Sequence, residues 1–340
     1  MADDVRLGLI GLGRIGKIHA EHCAQRVPGA RLEGIADIVL AQEQESWAKG
    51  LGVRLLSRDP QDILRDPAID GVVICSATDT HADLIIAAAE AGKHIFCEKP
   101  IDRSVSRVKA ALAVVKKAGV ILQIGFNRRF DHNFTRIRER IQAGDLGTLQ
   151  LIKITSRDPA PPSPEYVAGS GGLFMDMMIH DFDMARFQAG SEITQVYAAG
   201  AVLIDPEIGK AGDVDTAIVT LSFANGALGV IDNSRKAVYG YDQRLEVFGS
   251  KGMAIAENDL PSRVRVSTAA GVIGEKPLHF FLERYKEAYR TEMAAFVEAV
   301  LGHTPTPVSG EEGLANMYAA LAAGKSLKEK RPVFIDEVRA

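Results

Sequence analysis

The fold is decided by the segment VRLGLIGLGRIG, which spans residues 5–16 of this chain of 340 residues. Its first half, Val5 to Ile10, is apolar enough to predict a buried strand. Gly11, Gly13 and Gly16 follow, and they lead into a helical pattern. Glycines at such a turn let the backbone approach a pyrophosphate at the amino end of the helix. Because similar turns also occur without ligands, the prediction of a dinucleotide site depends on the flanking strand and helix.

A carboxylate lies where the second strand is predicted to end. Asp37 follows the run Ala30 to Ala36, roughly 20 residues after the last glycine of the turn. It can accept hydrogen bonds from ribose hydroxyls and would repel a 2′-phosphate, and positions 38–41 hold no Arg or Lys, so NAD is expected rather than NADP. The alternative is that Asp37 is a helix cap or turn residue. The residues expected to contact the cofactor here are Gly11, Gly13, Arg14, Ile15, Gly16 and Asp37.

Strand and helix patterns alternate along the first 125 residues. The predicted strands lie at 5–10, 30–36, 71–75, 94–97 and 120–124, and the helical patterns include 19–26, 81–91 and 105–118. Near-continuous apolar strands separated by helices indicate a parallel sheet covered on both faces. We therefore predict that residues 1–125 form a Rossmann domain with a doubly wound parallel sheet that binds NAD.

The pattern changes after about residue 148. Strands are predicted at 149–155, 196–204, 215–223, 228–233, 244–248 and 253–257, and helices at 281–301 and 311–327. Asn225-Gly226 joins two of these strands and is a strong hairpin signal. We expect residues 126–340 to form an α+β domain for substrate binding and oligomerisation, with a large, mainly antiparallel open sheet and carboxyl-terminal helices that pack back toward the first domain.

Composition excludes several classes of protein. The chain is 46% hydrophobic and 25% charged, with a net charge of −4, so we expect neither a nucleic acid nor a membrane as partner. Three scattered cysteines predict no disulfide framework and no zinc site. The amino-terminal residues lack the pattern of a signal peptide, and a cytoplasmic location is expected.

The segment 171–183, GGLFMDMMIHDFD, holds the second candidate site. On a helix, Asp176, His180 and Asp183 fall at i, i+4 and i+7 and share one face. A His held by a carboxylate is a natural proton acceptor near neutral pH. The same three residues could instead bind a divalent metal, although no further His or Cys is placed to complete the coordination shell.

Polar residues follow two other strands of the predicted parallel sheet. Thr78 and His81 come after the strand at 71–75 and are expected to face the crevice where open sheets bind ligands, while Thr80 is expected to cap the helix. Glu98-Lys99-Pro100 closes the strand at 94–97. The proline keeps Lys99 out of helical geometry, which places its ammonium at the strand end.

Together these motifs resemble the Gfo/Idh/MocA oxidoreductases, and the resemblance covers essentially the whole chain. The segments that carry it are Gly11 to Gly16, Glu98 to Pro100, Gly125 to Asp131, Ser156 to Pro159, Gly171 to Asp183 and Tyr239 to Asp242. The combination of Arg128-Arg129-Phe130-Asp131 with Ile179-His180-Asp181-Phe182-Asp183 is similar to the inositol branch of the family.

The resemblance implies specific roles. Lys99, Asp176 and His180 match a catalytic triad in which His180 is the base, Asp176 orients it and Lys99 binds the reacting oxygen; Lys99 and Glu98 are also expected beside the cofactor. The matching substrate contacts are Asn127, Arg128, Asp158, Asp183, Tyr239 and Tyr241, with Asn127 standing where the branch often carries methionine. The Lys99-Pro100 bond is expected to be cis.

The resemblance also implies an activity, which is oxidation of myo-inositol at C2 to 2-keto-myo-inositol (scyllo-inosose) with NAD. One alternative is a related dehydrogenase acting on scyllo-inositol, chiro-inositol or a pyranose. Another is a non-catalytic NAD-sensing regulator on the same fold. The family commonly forms dimers and tetramers, so a homo-oligomer is expected, with a tetramer favoured.

Overall fold

The computed structural model describes residues 4–339, and the chain divides into two compact units. One unit comprises the chain up to Phe130 together with Glu287–Ala315. The other comprises Asp131–Lys286 together with the chain from Asn316 onward. The first boundary lies close to the expected one between residues 125 and 126. The stretch Glu287–Ala315, part of the carboxyl-terminal region whose helices were expected to pack back toward the first domain, groups with the first unit.

The first unit begins with alternating strands and helices. They are β1 (Val5–Ile10), α1 (Arg14–Gln25), β2 (Ala30–Ala36), α2 (Gln42–Gly50), β3 (Leu55–Ser57), α3 (Pro60–Arg65), β4 (Gly71–Ile74), α4 (Thr78–Glu90), β5 (His94–Glu98), α5 (Val105–Ala118) and β6 (Leu122–Gly125), followed by a 3-10 helix at Asn127–Phe130. The six strands pair in parallel in the order β3-β2-β1-β4-β5-β6. In this doubly wound order, ligands bind at the carboxyl ends of the strands where the order reverses, which is between β1 and β4.

Burial explains why these segments form strands. Leu7, Leu9, Val73 and Phe96 are completely buried, as expected for a parallel sheet that is covered on both faces. Phe296, which is distant in sequence, packs into the same core cluster.

The second unit contains the remaining sheet. Its elements, and those that follow to the end of the chain, are α6 (His132–Gln142), β7 (Leu149–Arg157), α7 (Pro164–Ser170), α8 (Gly172–Asp176), α9 (Ile179–Ala189), β8 (Ile193–Ala201), α10 (Pro206–Lys210), β9 (Thr216–Phe223), β10 (Leu228–Ser234), β11 (Asp242–Gly249), β12 (Gly252–Ala256), β13 (Arg265–Thr268), β14 (Gly271–Gly274), α11 (Phe281–Arg284), α12 (Lys286–Gly302), α13 (Gly310–Glu329) and β15 (Val333–Phe334), with a last 3-10 helix at Ile335–Val338.

Seven strands of this set form one sheet in the order β12-β11-β7-β10-β9-β8-β15. All neighbours are antiparallel except β7 and β10, which are parallel. The predicted hairpin is confirmed: β9 and β10 pair in antiparallel register, and Gly226 has φ +87° in the turn between them. Strands β13 and β14 form a separate hairpin.

Two predicted helices are each interrupted. The single helix expected over residues 281–301 breaks at Tyr285, between α11 and α12. The helix that was to carry Asp176, His180 and Asp183 is instead two helices, α8 and α9, with Met177 and Met178 between them. Among the residues 4–339 that are described, no helix is both long and apolar enough to cross a membrane.

Candidate active site

In the glycine turn after β1, two of the three glycines are required by the backbone, and the third position has room for a side chain. Gly11 has φ +98°, and a Cβ on Gly16 would lie 1.9 Å from the carbonyl oxygen of Gly11, so neither site accepts a side chain. Gly13 differs, because its φ of −70° suits any residue and a Cβ there would meet nothing within 4 Å. Gly13 is also the N-cap of α1 and makes no side-chain cap hydrogen bond. The turn therefore leaves space and backbone donors for an anionic group, as a bound pyrophosphate requires.

Asp37 takes part in building this turn. Its Oδ2 accepts a hydrogen bond from the backbone N–H of Leu12 at 2.5 Å, and its Oδ1 accepts one from Val39 at 2.8 Å. Each carboxylate oxygen has a second acceptor position for a ribose hydroxyl. Asp37 thus has the turn role considered as an alternative, and the cofactor role remains open beside it. At the start of α1, Arg14 is exposed and Ile15 is half-buried.

The loop after β4 differs from expectation at Thr80. The N-cap of α4 is Ala77, and Thr80 lies inside the helix, where its hydroxyl donates to the Ala77 carbonyl at 2.7 Å. The prediction that Thr80 caps α4 is therefore wrong. Thr78 is the first residue of α4 and is half-buried.

His81 is buried, and its ring joins two strand-end loops. Nδ1 lies 2.8 Å from the carbonyl oxygen of Pro100, and Nε2 lies 3.0 Å from that of Ser76. The imidazole therefore fixes the loops after β4 and β5 to each other. A contact of His81 with the cofactor stays a prediction.

Lys99-Pro100 is a cis peptide bond, as predicted. The residue before it, Glu98, lies 2.8 Å from Nε2 of His19, which is completely buried on α1. A Cβ on Gly125 would lie 3.0 Å from the Glu98 carboxylate, so a side chain at this position of the neighbouring strand β6 would crowd that carboxylate. His19 thus holds Glu98, the residue next to Lys99, by a hydrogen bond.

Two groups of side chains in the described part of the chain bring three possible metal ligands within 4.8 Å: His19, Glu98 and Glu292, and Asp131, His132 and Asp259. In the first, the His19–Glu98 hydrogen bond occupies the ligand atoms, and burial raises the pKa of Glu292 well above its usual range. In the second, the Arg284 guanidinium contacts both aspartates. The raised pKa of Glu292 and the guanidinium of Arg284 disfavour a cation in these groups, and we assign no metal to either. The trio of Asp176, His180 and Asp183 forms no such group among the residues described.

Two glycines and an unpredicted aspartate fix the start of α8. Gly171 and Gly172 have φ values of +90° and +83°, a region that favours glycine. The backbone N–H of Leu173 donates to both carboxylate oxygens of Asp213, at 3.1 and 2.9 Å. This carboxylate at the amino end of α8 positions the segment that ends at Asp176.

Asp176 lies in a polar cluster of the second unit. Its Oδ1 accepts a hydrogen bond from the Tyr166 hydroxyl at 2.9 Å, and its Oδ2 accepts one from Nη1 of Arg235 at 3.2 Å. The same Nη1 lies 3.7 Å from Oδ2 of Asp158. Arg235 therefore links Asp176 and Asp158, two of the predicted site residues. Sequence reasoning missed Arg235, although it directly follows a strand.

His180 and Asp183 both lie on α9, where they differ in exposure. His180 is half-buried in the first turn, whereas Asp183 is buried. Oδ1 of Asp183 accepts a hydrogen bond from the side-chain amide of Asn316 at 2.7 Å. Nη1 of Arg186 in turn donates to Oδ1 of Asn316 at 2.9 Å, so the scaffold already uses part of the Asp183 carboxylate.

The two candidate tyrosines have unlike surroundings. Tyr239 is 39% exposed, donates to Oδ2 of Asp242 at 2.6 Å and accepts from Nη1 of Arg157 at 3.2 Å. Tyr241 is buried and packs edge-on against Phe280 and Tyr285.

In the first unit, the candidate residues Asn127 and Arg128 are both buried in the 3-10 helix after β6.

Comparison with known proteins covers both units. The family model described as an oxidoreductase family with an NAD-binding Rossmann fold matches residues 5–126, and the GFO/IDH/MocA C-terminal domain matches residues 134–255. The chain is 50% identical over 334 residues to the myo-inositol 2-dehydrogenase of Thermotoga maritima, covering 98% of this chain and 99% of that protein. It is 48% identical over 332 residues to the inositol 2-dehydrogenase of Rhizobium meliloti, covering 97% and 99%.

Solved structures similar to this chain include one with a cofactor and a cyclitol bound. The scyllo-inositol dehydrogenase of Lactobacillus casei with bound NAD(H) and scyllo-inositol matches with a TM-score of 0.91 at 32% identity, over 98% of this chain and 100% of that chain.

Proposed function

This chain belongs to the Gfo/Idh/MocA oxidoreductase family, and we propose that it oxidises myo-inositol at C2 to 2-keto-myo-inositol with NAD as oxidant. The observation that carries the proposal is the 50% identity to the Thermotoga maritima myo-inositol 2-dehydrogenase over 98% of this chain. The open position at Gly13 and the uncapped amino end of α1 support the NAD half of the proposal. The proposed cofactor contacts are Gly11, Gly13, Arg14, Ile15, Gly16, Asp37, Thr78, His81, Glu98 and Lys99.

We propose that His180 is the general base. NAD, when bound, supplies the acceptor for the hydride that leaves the carbinol carbon. The hydroxyl proton passes to the imidazole of His180, a transfer typically worth about 10²- to 10⁴-fold in rate. Asp176 orients the ring and stabilises its charged form, as a carboxylate does behind other catalytic imidazoles. Lys99 donates a hydrogen bond to the reacting oxygen and favours its alkoxide character.

The remaining candidates are proposed to bind the hydroxyls of the polyol. They are Asn127, Arg128, Asp158, Asp183, Tyr239 and Tyr241. A site built from such polar groups strongly rejects an analogue that lacks one hydroxyl, because its own donors and acceptors then stay unpaired.

An absorbance assay for NADH tests the proposal directly. The purified protein is mixed with NAD and with myo-inositol, scyllo-inositol, chiro-inositol or glucose in turn. We expect the highest kcat/KM with myo-inositol. A higher kcat/KM with scyllo-inositol, the ligand of the Lactobacillus casei structure, would make scyllo-inositol the preferred substrate. The proposed reaction, oxidation of a cyclitol by NAD, would stand. Failure to form NADH with any cyclitol or aldose would refute the enzyme function.

Two alanine variants test the proposed chemistry. Lys99→Ala and His180→Ala should each lower kcat by about 10²-fold or more, while the Kd for NADH measured by fluorescence changes far less. Lys116→Ala is the matched control, because Lys116 is an exposed lysine in the last turn of α5. Unchanged turnover in either site variant would contradict its role.

We also propose that the protein is a homo-oligomer, with a tetramer favoured, and that it works in the cytoplasm, where NAD is available. An apolar row crosses one face of the seven-stranded sheet. Met253 pairs with Phe248, Phe248 with Leu151, and Leu151 with Leu228, and the four are 38–55% exposed. Directly paired residues lie on one face, so the four side chains form a continuous apolar surface that a second copy could cover.

A further inference from the structure

Arg235 is a buried cation that contacts two candidate site residues, Asp176 and Asp158, for which different roles are proposed. It follows β10, which pairs in parallel with β7 so that Ser234 lies opposite Arg157. The next residue on each strand, Arg235 and Asp158, therefore leaves the sheet side by side. Arg235 is 2% exposed, and its Nη1 reaches Asp158 at 3.7 Å and Asp176 at 3.2 Å.

The burial of this guanidinium is costly. Its Nε and Nη2 are buried, and no residue that the structure describes gives them a hydrogen-bond partner. Burial of a charged group is unfavourable unless the group is paired, and each unsatisfied donor adds to the cost. The fold thus retains an arginine whose contacts, through Nη1, are made with two carboxylates, both of them candidate site residues.

The groups around Asp176 include one neutral donor and two charges. Tyr166 on α7 donates its hydroxyl, and burial followed by the Asp176 charge raises the pKa of Tyr166, so it stays protonated. Arg235 and Asp158 contribute the charges. A cation in this position favours the ionised form of a carboxyl and disfavours the charged form of an imidazole.

We propose that Arg235 is a positioning residue that holds Asp176 and Asp158 in place and keeps Asp176 ionised while His180 accepts the proton. One buried cation would then serve both the proposed base and the proposed substrate contact. This inference rests on the proposed function for its kinetic meaning, although the contacts themselves lie within the second unit. It predicts that Arg235 sets the pH range in which His180 is neutral and active.

The test is the pH dependence of kcat/KM in two variants. Arg235→Gln should lower kcat/KM near neutral pH by about 10-fold or more and move the acidic limb of the profile up by about one pH unit. Arg235→Lys keeps the charge, so its acidic limb should stay near that of the parent, while kcat/KM falls less. A folded Arg235→Gln variant with the parent's limb and KM would overturn the proposal.

Arg284 provides a matched control. It is also buried, and its guanidinium contacts Asp131 and lies 3.1 Å from Asp259, neither of which belongs to the candidate site. Arg284→Gln should lower the thermal midpoint without moving the acidic limb. If the control moves the limb as far as Arg235→Gln does, the effect is a general loss of stability and the proposal fails.

A second readout separates this inference from the proposed function. The side-chain carboxyl signal of Asp176, assigned by its loss in Asp176→Asn, can be titrated by NMR without any substrate. Arg235→Gln should raise the apparent pKa of that signal by about one unit, and Arg235→Lys should raise it less. If the parent oxidises no cyclitol but the signal shifts, the proposed function fails and the Arg235–Asp176 coupling stands. If Arg235→Gln does not fold, Arg235→Lys decides: a kcat/KM and an Asp176 titration that both equal those of the parent would overturn the proposal.

Discussion

At the scale of the single residue, Asp37 accepts a hydrogen bond from the backbone of the glycine turn and is proposed to bind the ribose of NAD. One substitution can separate these two roles. Asp37→Asn keeps an acceptor for a backbone N–H but removes the charge. We expect the Kd for NAD to rise by about 10-fold and the preference for NAD over NADP to fall by at least that factor, because a charged acceptor and its repulsion of a 2′-phosphate are both lost. Fluorescence titrations with both reduced cofactors measure this.

The control for that substitution is Asp59→Asn. Asp59 caps α3 by accepting a hydrogen bond from the Gln61 N–H at 2.9 Å and is not among the cofactor candidates. Equal affinities for NAD in Asp37→Asn and in the parent would remove Asp37 from the cofactor site.

His22 should make the protein sensitive to acid. Burial, followed by the charge of neighbouring His19, lowers the pKa of His22 to about 4. In the unfolded chain the pKa returns to about 6.5, so the stabilisation is present above pH 6.5 and is lost as the pH falls toward 4. The loss amounts to about 3 kcal/mol at most.

The substitution His22→Gln removes this titration. The free energy of unfolding, measured by urea denaturation across the range from about pH 4 to 7, should then fall less steeply than in the parent. Parallel pH curves for the two proteins would show that His22 does not carry the acid sensitivity.

The role of a residue was predictable where a local motif determines it. It was not predictable where a partner distant in sequence determines it. The glycine turn could be expected from local sequence, and the cis Lys99-Pro100 bond from the resemblance to the family. Arg235 could not, because its role depends on the parallel pairing of β7 with β10, strands that are far apart in the chain. The hydrogen bond of His19 to Glu98 could not be predicted either, because it arises only when α1 lies against the end of β5.

At the scale of the element, the two short helices α8 and α9 depend on the turn that precedes them. Gly172 has φ +83°, and a Cβ there would lie 2.8 Å from a carboxylate oxygen of Asp213. Gly172→Ala should therefore destabilise the protein by about 1–3 kcal/mol and displace α8. We expect both a lower thermal midpoint and a lower kcat, since α8 ends at Asp176.

Gly169→Ala is the control for this element, because a Cβ there meets none of the described atoms within 4 Å and the residue is not among those with positive φ. It should leave the thermal midpoint and kcat near those of the parent. If the two variants behave alike, the left-handed turn is not what positions α8.

The same segment shows what periodicity cannot resolve. Residues 176, 180 and 183 have helical spacing, and all the residues between them except Asp181 are apolar, so one continuous helix is the simplest prediction. The helix is interrupted at Met177 and Met178, and neither a glycine nor a proline marks this interruption in the sequence. Short elements such as β3, α10 and β15 were missed because two to five residues show too little periodicity to detect.

At the scale of the whole molecule, the alternation of strands and helices was enough to predict the parallel sheet, and the hairpin signal and strand spacing predicted the second sheet. The carboxyl-terminal helices were expected to pack back toward the first domain, but the extent of the stretch Glu287–Ala315 was not predictable, because it depends on contacts such as that of Phe296 with Phe96. These two residues are 200 positions apart in the chain, a separation at which local pattern carries no information.

The apolar row across the seven-stranded sheet is the proposed contact between copies of the chain, and a charge placed in it should disrupt assembly. Leu151 lies at the centre of this row, paired with Phe248 on one side and Leu228 on the other. Leu151→Lys places an ammonium where a second copy is proposed to pack, and burying an unpaired charge is strongly unfavourable. The variant should dissociate to smaller species at micromolar concentration in light scattering. Leu203→Lys, at an apolar residue that is 73% exposed and outside the row, should keep the parent mass. A Leu151→Lys variant of unchanged mass would place the contact between copies elsewhere. A parent that is monomeric at that concentration would exclude such a contact.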